Sequence, residues 1–280
     1  MLPKLIAIDL DETLLRSDKT YDRDRFKAVS AAFLEAGSLL AIVTGNSYHK
    51  IEDFFDEQER QSFYFACDNG NYMVKNEQAV YQNAIPRKIF ADLVDYLQDQ
   101  ADLHPLVNVG THAYYDRANR DFASLFKMYN RRIEELPHYH EIPNHESVTK
   151  IAIHATMTLA EMKVVAQYIN DHFDHVRAVT SGDDWIDINS DQGGKGAALR
   201  YLQDKYHILP QESLAFGDSL NDLSMMEEVK YSLAMENADP DLLAKCSYQI
   251  ASNNQQAVIA ILEEILSQGS CDFLDNYYAL

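Results

Sequence analysis

Apolar residues along the chain fall into short runs that alternate with segments of helical spacing. Residues 5–10, 38–43 and 63–66 are brief and nearly continuous apolar runs, as expected of strands buried on both faces. Between them, Phe26, Val29 and Phe33 recur at helical spacing, Gly37 stands as a terminator, and residues 47–58 read as a helix. The same rhythm returns late in the chain. It predicts helices over residues 195–206, 219–228 and 256–266, and strands over 213–216, 231–234 and 248–251. Strand–helix alternation of this kind predicts a parallel sheet with helices on both faces.

The middle of the chain has a different pattern. A helix is expected over residues 87–100, with Phe90, Leu93, Val94 and Leu97 inward, and a hairpin pair over 106–109 and 112–115 around Gly110. Helices are expected over 121–136 and 159–173, and strands over 150–155, 176–180 and 185–188. Paired strands without an intervening helix imply an antiparallel α+β module. The expected organisation is an α/β Rossmann-like core made of residues 1–82 and 187–280, with an α+β domain inserted at 83–186.

Composition narrows the function. The 280 residues carry 24 Lys+Arg against 44 Asp+Glu, a formal charge of −20. That balance excludes a general nucleic-acid binder, which needs a basic footprint, and argues against docking on an anionic membrane. Cys67, Cys246 and Cys271 show no C-x-x-C spacing and form no even set, so a reducing, cytoplasmic setting is expected. No apolar run approaches the roughly 18 residues of a membrane helix.

In an open parallel sheet, ligands bind beyond the carboxyl ends of the strands. The expected strands place Asp9, Asp11, Thr44, Gly45, Asp68-Asn69-Gly70, Asp218 and Asp222 there, while Lys195 opens a helix after Gly193-Gly194. Asp9 and Asp11 alternate onto one side of an extended segment, and Asp218 and Asp222 lie one helical turn apart. Neighbouring carboxylates repel, so a shared proton or a cation must neutralise them. Acids with no adjacent His or Cys favour a hard, oxygen-loving ion, usually Mg²⁺. Any one of these acids is equally consistent with a helix cap. The joint placement is what points to a cation.

These residues resemble a known family. Asp9-Leu10-Asp11-Glu12-Thr13, Ile42-Val43-Thr44-Gly45, Gly193-Gly194-Lys195-Gly196 and Phe216-Gly217-Asp218-Ser219-Leu220-Asn221-Asp222 are similar to the four ordered motifs of the haloacid dehalogenase (HAD) superfamily. The large insertion, with Ala234-Met235-Glu236-Asn237-Ala238 near the end, resembles the Cof-type subgroup. That subgroup consists mostly of metabolite phosphatases with an α/β cap of the second type.

The resemblance implies roles. Asp9 would be the nucleophile, forming a phosphoaspartate, and Asp11 the general acid and then base. Mg²⁺ would be held by Asp9, the Asp11 backbone carbonyl and Asp218. Thr44, the Gly45 amide, Lys195 and Asn221 would bind the phosphate, with Asp222 acting from behind Lys195 or a metal-bound water. Asn46, His112, Tyr114, Arg117, Ser181 and Gly182 are expected to contact the substrate.

Two positions depart from the family pattern. Glu12 stands where many members have Gly, which puts the loop geometry in question. Asn46 replaces a common Arg, and with Tyr48 and Phe54-Phe55 it resembles a sugar-phosphate phosphatase branch. A roofed site favours small phosphorylated metabolites, sugar phosphates first, then flavin mononucleotide or pyridoxal phosphate. The rivals are a phosphomutase or phosphotransferase on the same framework, and a catalytically silent binding protein. His138, His140 and His145 read as a solvated loop rather than a zinc site, and Trp185 as packing near the domain junction.

Overall fold

The computed structural model describes residues 1–181 and 184–277. The chain opens with β1 (Leu5–Ile8), α1 (Arg23–Glu35), β2 (Leu39–Val43), α2 (Tyr48–Ile51), α3 (Glu57–Ser62), β3 (Tyr64–Cys67), β4 (Tyr72–Lys75) and β5 (Gln78–Gln82). A second group follows: α4 (Arg87–Gln98), β6 (Leu103–Asn108), β7 (Ala113–Asp116), α5 (Ala123–Tyr129), β8 (Ile133–Leu136), β9 (Lys150–Ala155), α6 (Leu159–His172), β10 (Val176–Ser181) and β11 (Trp185–Ser190). The chain closes with α7 (Lys195–Tyr206), β12 (Ser213–Gly217), α8 (Leu223–Met226), β13 (Tyr231–Met235), α9 (Pro240–Leu243), β14 (Tyr248–Ile250) and α10 (Ala257–Gln268).

Two units result. The first comprises Met1–Gly45, Phe55–Val80 and Gly194–Leu280, and the second Asn46–Phe54 and Tyr81–Gly193. The first unit is built on an eight-stranded sheet of order β14-β13-β12-β1-β2-β3-β4-β5. Its strands are parallel from β14 to β3, and β4 then turns back antiparallel. All four residues of β1 are buried, which is why it reads as an unbroken apolar run. In α1 the Asp22 carboxylate accepts from the Arg25 N–H at 3.3 Å, and Phe26, Val29 and Phe33 are buried at the predicted spacing.

The second unit has a six-stranded sheet of order β10-β11-β9-β6-β7-β8. It is antiparallel except for β7 beside β8. One face presents Val107, Ile151, Ile153, Ile186 and Ile188 to Phe90, Leu93 and Val94 of α4 and Met162 and Ile169 of α6. The alternate positions Leu106, Ala152 and Trp185 pack with Phe126 of α5.

Several expectations need correction. Residues 121–136 are not one helix: α5 stops at Tyr129, and β8 pairs parallel with β7. Buried Asn130 causes the break, because its amide binds Asn108 Oδ1 at 3.2 Å and the Arg132 N–H at 3.0 Å. Residues 47–58 are likewise divided: a new helix starts at the capping box of Asp56 and Glu59. Residues 219–228 begin as a 3₁₀ turn before α8. The hairpin strands β4 and β5 were not anticipated. The expected domain boundary at 186/187 falls inside β11, whose ladder with β10 continues to Ser190.

Candidate active site

Adjacent strands deliver the acids. β1 lies between β2 and β12, with Ile8 in register with both Ile42 and Phe216. Asp9, Thr44 and Asp218 therefore follow the carboxyl ends of neighbouring strands. After β1 the chain makes a single wide turn, in which Leu14 N–H donates to Asp9 O at 3.3 Å and Leu15 N–H to Leu10 O at 2.8 Å. Inside it Asp11 is extended and Glu12 is left-handed, at φ 56° and ψ 10°.

Lys195 begins α7 and is 1% exposed. Its Nζ donates to Asp9 Oδ1 at 2.6 Å and to Asp222 Oδ1 at 2.5 Å. The other Asp222 oxygen accepts from the backbone N–H groups of Asp218 and Ser219, each at 3.0 Å. Thr13 Oγ1 donates to Asp218 Oδ1 at 3.0 Å. Oxygens of Asp9, Asp218 and Asp222 lie within 4.8 Å of one another, the one such acid, His or Cys group of three among the described residues.

Burial raises the Asp9 pKa well above the usual carboxylate range, reinforced by the charges of Asp222 and Asp218 against the pull of Lys195. Burial and the charge of Asp222 push Asp218 up to about 6, with the Thr13 hydrogen bond opposing. For Lys195, burial opposes the charge, but Asp222 and Asp9 outweigh it and hold the pKa above the ordinary lysine range. With all three carboxylates ionised, a single ammonium would leave two negative charges in excess, and this crowding is what raises the Asp9 and Asp218 pKa values beyond the effect of burial. The donor set is all oxygen. The hydrogen bonds above use both Asp222 oxygens but leave Asp9 Oδ2 and Asp218 Oδ2. The residues present therefore fit a hard divalent cation on Asp9 and Asp218, with Asp222 orienting Lys195.

Beside them, Asn69 N–H donates to Thr44 O at 2.9 Å, and Asn221 Nδ2 to Asn69 Oδ1 at 3.2 Å. A Cβ on Gly45 would lie 3.0 Å from that same Asn69 oxygen. Thr44, Gly45 and Asn221 thus share a neighbourhood organised by Asn69. The Asp11 carboxylate is 43% exposed and accepts from Lys19 Nζ at 3.0 Å. Sequence reasoning gives no role to Thr13, Asn69 or Lys19: Thr13 lies inside the first motif and Asn69 in the segment after the third strand, whereas nothing in the local pattern around Lys19 marks it.

The start of α7 is held by close packing. Gly196 N–H donates to Ser224 Oγ at 3.1 Å, and a Cβ on Gly196 would sit 2.3 Å from Ser224 O. Gly196→Ala is expected to destabilise the protein by about 2–3 kcal/mol, because backbone must move. A urea midpoint equal to that of the parent would refute this.

The expected substrate contacts Asn46, His112, Tyr114, Arg117 and Ser181 all belong to the second unit. His112 Nε2 and Tyr114 OH share a 2.8 Å hydrogen bond, and strand alternation turns Tyr114 into the helix-backed core of that unit. Arg117 pairs with Glu135 at 3.2 Å, Ser181 ends edge strand β10, and Gly182 lies outside the described residues. Among the described residues the three histidines do not converge: His138, His140 and His145 face Asp116, Asp95 and Glu146 separately. Trp185 is buried against Phe126, Tyr129 and His154.

A family model for haloacid dehalogenase-like hydrolases matches residues 6–262. The 5-amino-6-(5-phospho-D-ribitylamino)uracil phosphatase YbjI of Escherichia coli strain K12 is 27% identical over 265 residues, covering 94% of this chain and 96% of its own. The YwtE phosphatase of the same activity name in Bacillus subtilis strain 168 is 26% identical over 288 residues, covering 94% and 98%. In fold, SMU.1108c from Streptococcus mutans UA159 superposes with a TM-score of 0.84 at 23% identity, covering 95% of this chain and 99% of that one.

Proposed function

The chain belongs to the haloacid dehalogenase-like hydrolases, and on that premise we propose that it is a Mg²⁺-dependent phosphatase of small phosphorylated metabolites. The carrying observation is buried Lys195 bridging Asp9 and Asp222 beside Asp218, at the ends of adjacent strands. Asp9 is the nucleophile: its carboxylate oxygen bonds to phosphorus as the bond to the leaving alcohol breaks, giving a phosphoaspartate. Asp11 gives its proton to the leaving oxygen, then takes one from the water that attacks phosphorus as the Asp9 O–P bond breaks, which releases phosphate and restores the Asp9 carboxylate.

Thr44, the Gly45 N–H and Asn221 hold phosphoryl oxygens, and Lys195 keeps Asp9 oriented and offsets phosphate charge. Asp9, Asp218 and the Asp11 carbonyl would hold Mg²⁺, which would supply neutralisation of the negative charge that gathers there. The favoured substrates are sugar and sugar-alcohol phosphates. The names of YbjI and YwtE, which specify a phosphorylated ribityl group, support this class.

A phosphate-release screen over sugar phosphates, 5-amino-6-(5-phospho-D-ribitylamino)uracil, flavin mononucleotide and pyridoxal phosphate tests the reading. Interconversion of sugar phosphates without free phosphate would replace it with a mutase. EDTA is expected to abolish release and Mg²⁺ to restore it. Hydrolysis that survives complete chelation would remove the metal from the proposal.

A further inference from the structure

The left-handed Glu12 is disfavoured for a residue with a Cβ, yet it occupies the turn between Asp9 and Asp218's partner Thr13. Four hydrogen bonds hold it. Its backbone oxygen accepts from Asn237 Nδ2 at 2.9 Å. Its carboxylate accepts from Asn253 Nδ2 at 3.0 Å, Ser17 Oγ at 2.7 Å and Lys19 Nζ at 3.4 Å. Asn253 Nδ2 also donates to Leu15 O at 2.9 Å, while the Asn253 N–H donates to Asn237 Oδ1 at 3.1 Å. One residue group thus binds the turn at Glu12 and again at its exit.

Asn253 is 1% exposed, and its Oδ1 is buried with no hydrogen-bond partner. Flipping the amide would not help, because the oxygen would then face Glu12 Oε2 and Leu15 O, both acceptors. The buried orphan is retained because the amide nitrogen is needed where it is. Gln256, also left-handed at φ 57°, adds a bond from Nε2 to Leu14 O at 3.2 Å and accepts the Asp22 N–H at 2.7 Å.

We propose that Glu12 is a positioning residue for the reaction, locked by Asn253 and Asn237 so that Thr13 orients Asp218 and Asp11 keeps its place beside Asp9. This rests on the phosphatase reading above. Glu12→Ala and Asn253→Ala are each expected to lower kcat about 10- to 100-fold, with KM within about twofold. Each should also weaken Mn²⁺ binding to the substrate-free protein, followed by electron paramagnetic resonance. The double variant should be no worse than the poorer single one, because both break one lock. Glu12→Gln, which keeps an acceptor for Asn253, should retain most activity.

Parental kcat and Mn²⁺ affinity in Glu12→Ala, or multiplicative losses in the double variant, would overturn the proposal. If Asn253→Ala does not fold, the contrast between Glu12→Ala and Glu12→Gln decides it. If the parent releases no phosphate from any ester, the functional reading fails, and the Mn²⁺ measurement still judges the lock.

Discussion

Asp9→Asn is expected to lower turnover by about 10⁴- to 10⁶-fold while the protein remains folded. The amide cannot attack phosphorus, and one of the two oxygens offered to a cation is lost. Its remaining oxygen can still accept from Lys195 Nζ, which sits 2.6 Å from Asp9 Oδ1. The substitution also removes one of three crowded carboxylates, whose burial already raises the Asp9 pKa. Without Mg²⁺, the thermal midpoint should therefore stay level or rise. Turnover near the parental rate would refute the nucleophile assignment, and collapse of the fold would refute the account of the charges.

Lys195→Met should have the largest effect on stability. Methionine fills similar volume but leaves Asp9 and Asp222 without their buried counter-charge. Breaking such a pair typically costs about 3–5 kcal/mol. The sign of the pH dependence follows from Asp9. Its folded pKa, already raised, moves further up, so the folded state binds more protons and stability falls as pH rises above the unfolded carboxylate range. The loss measured by urea unfolding should be greater at pH 8 than at pH 5, and Mg²⁺ should recover part of it. An unchanged urea midpoint at pH 8 would exclude the proposed electrostatics.

The legible parts of the fold are those where a local pattern and tertiary packing agree. The helix Lys195–Tyr206 has the predicted limits, and β1, β2 and β12 announce themselves because both faces are buried. The segment 121–136 misleads because its polarity is compatible with a helix, while a single buried side chain, Asn130, decides where the helix ends. Strand β5, largely exposed, carries little apolar signal. In the site, the acids and Lys195 are visible as residue types after strands. The partition of their oxygens is not. That Asp222 spends both oxygens on Lys195 and two backbone N–H groups depends on a 3₁₀ turn that sequence spacing does not specify.

The position of β1 has a consequence for synthesis. It leaves the ribosome first among the strands, yet one of its two neighbours, β12, is encoded about 200 residues later. At ordinary translation rates, about 10 to 40 s separate the two. During that interval the apolar edge Leu5–Ile8 lacks its β12 partner, the condition in which strands recruit foreign chains. The second unit's middle segment is complete before β12 appears. A nascent chain stalled near residue 200 should therefore depend on a chaperone at its N-terminal edge, and that dependence should end once β12 is released.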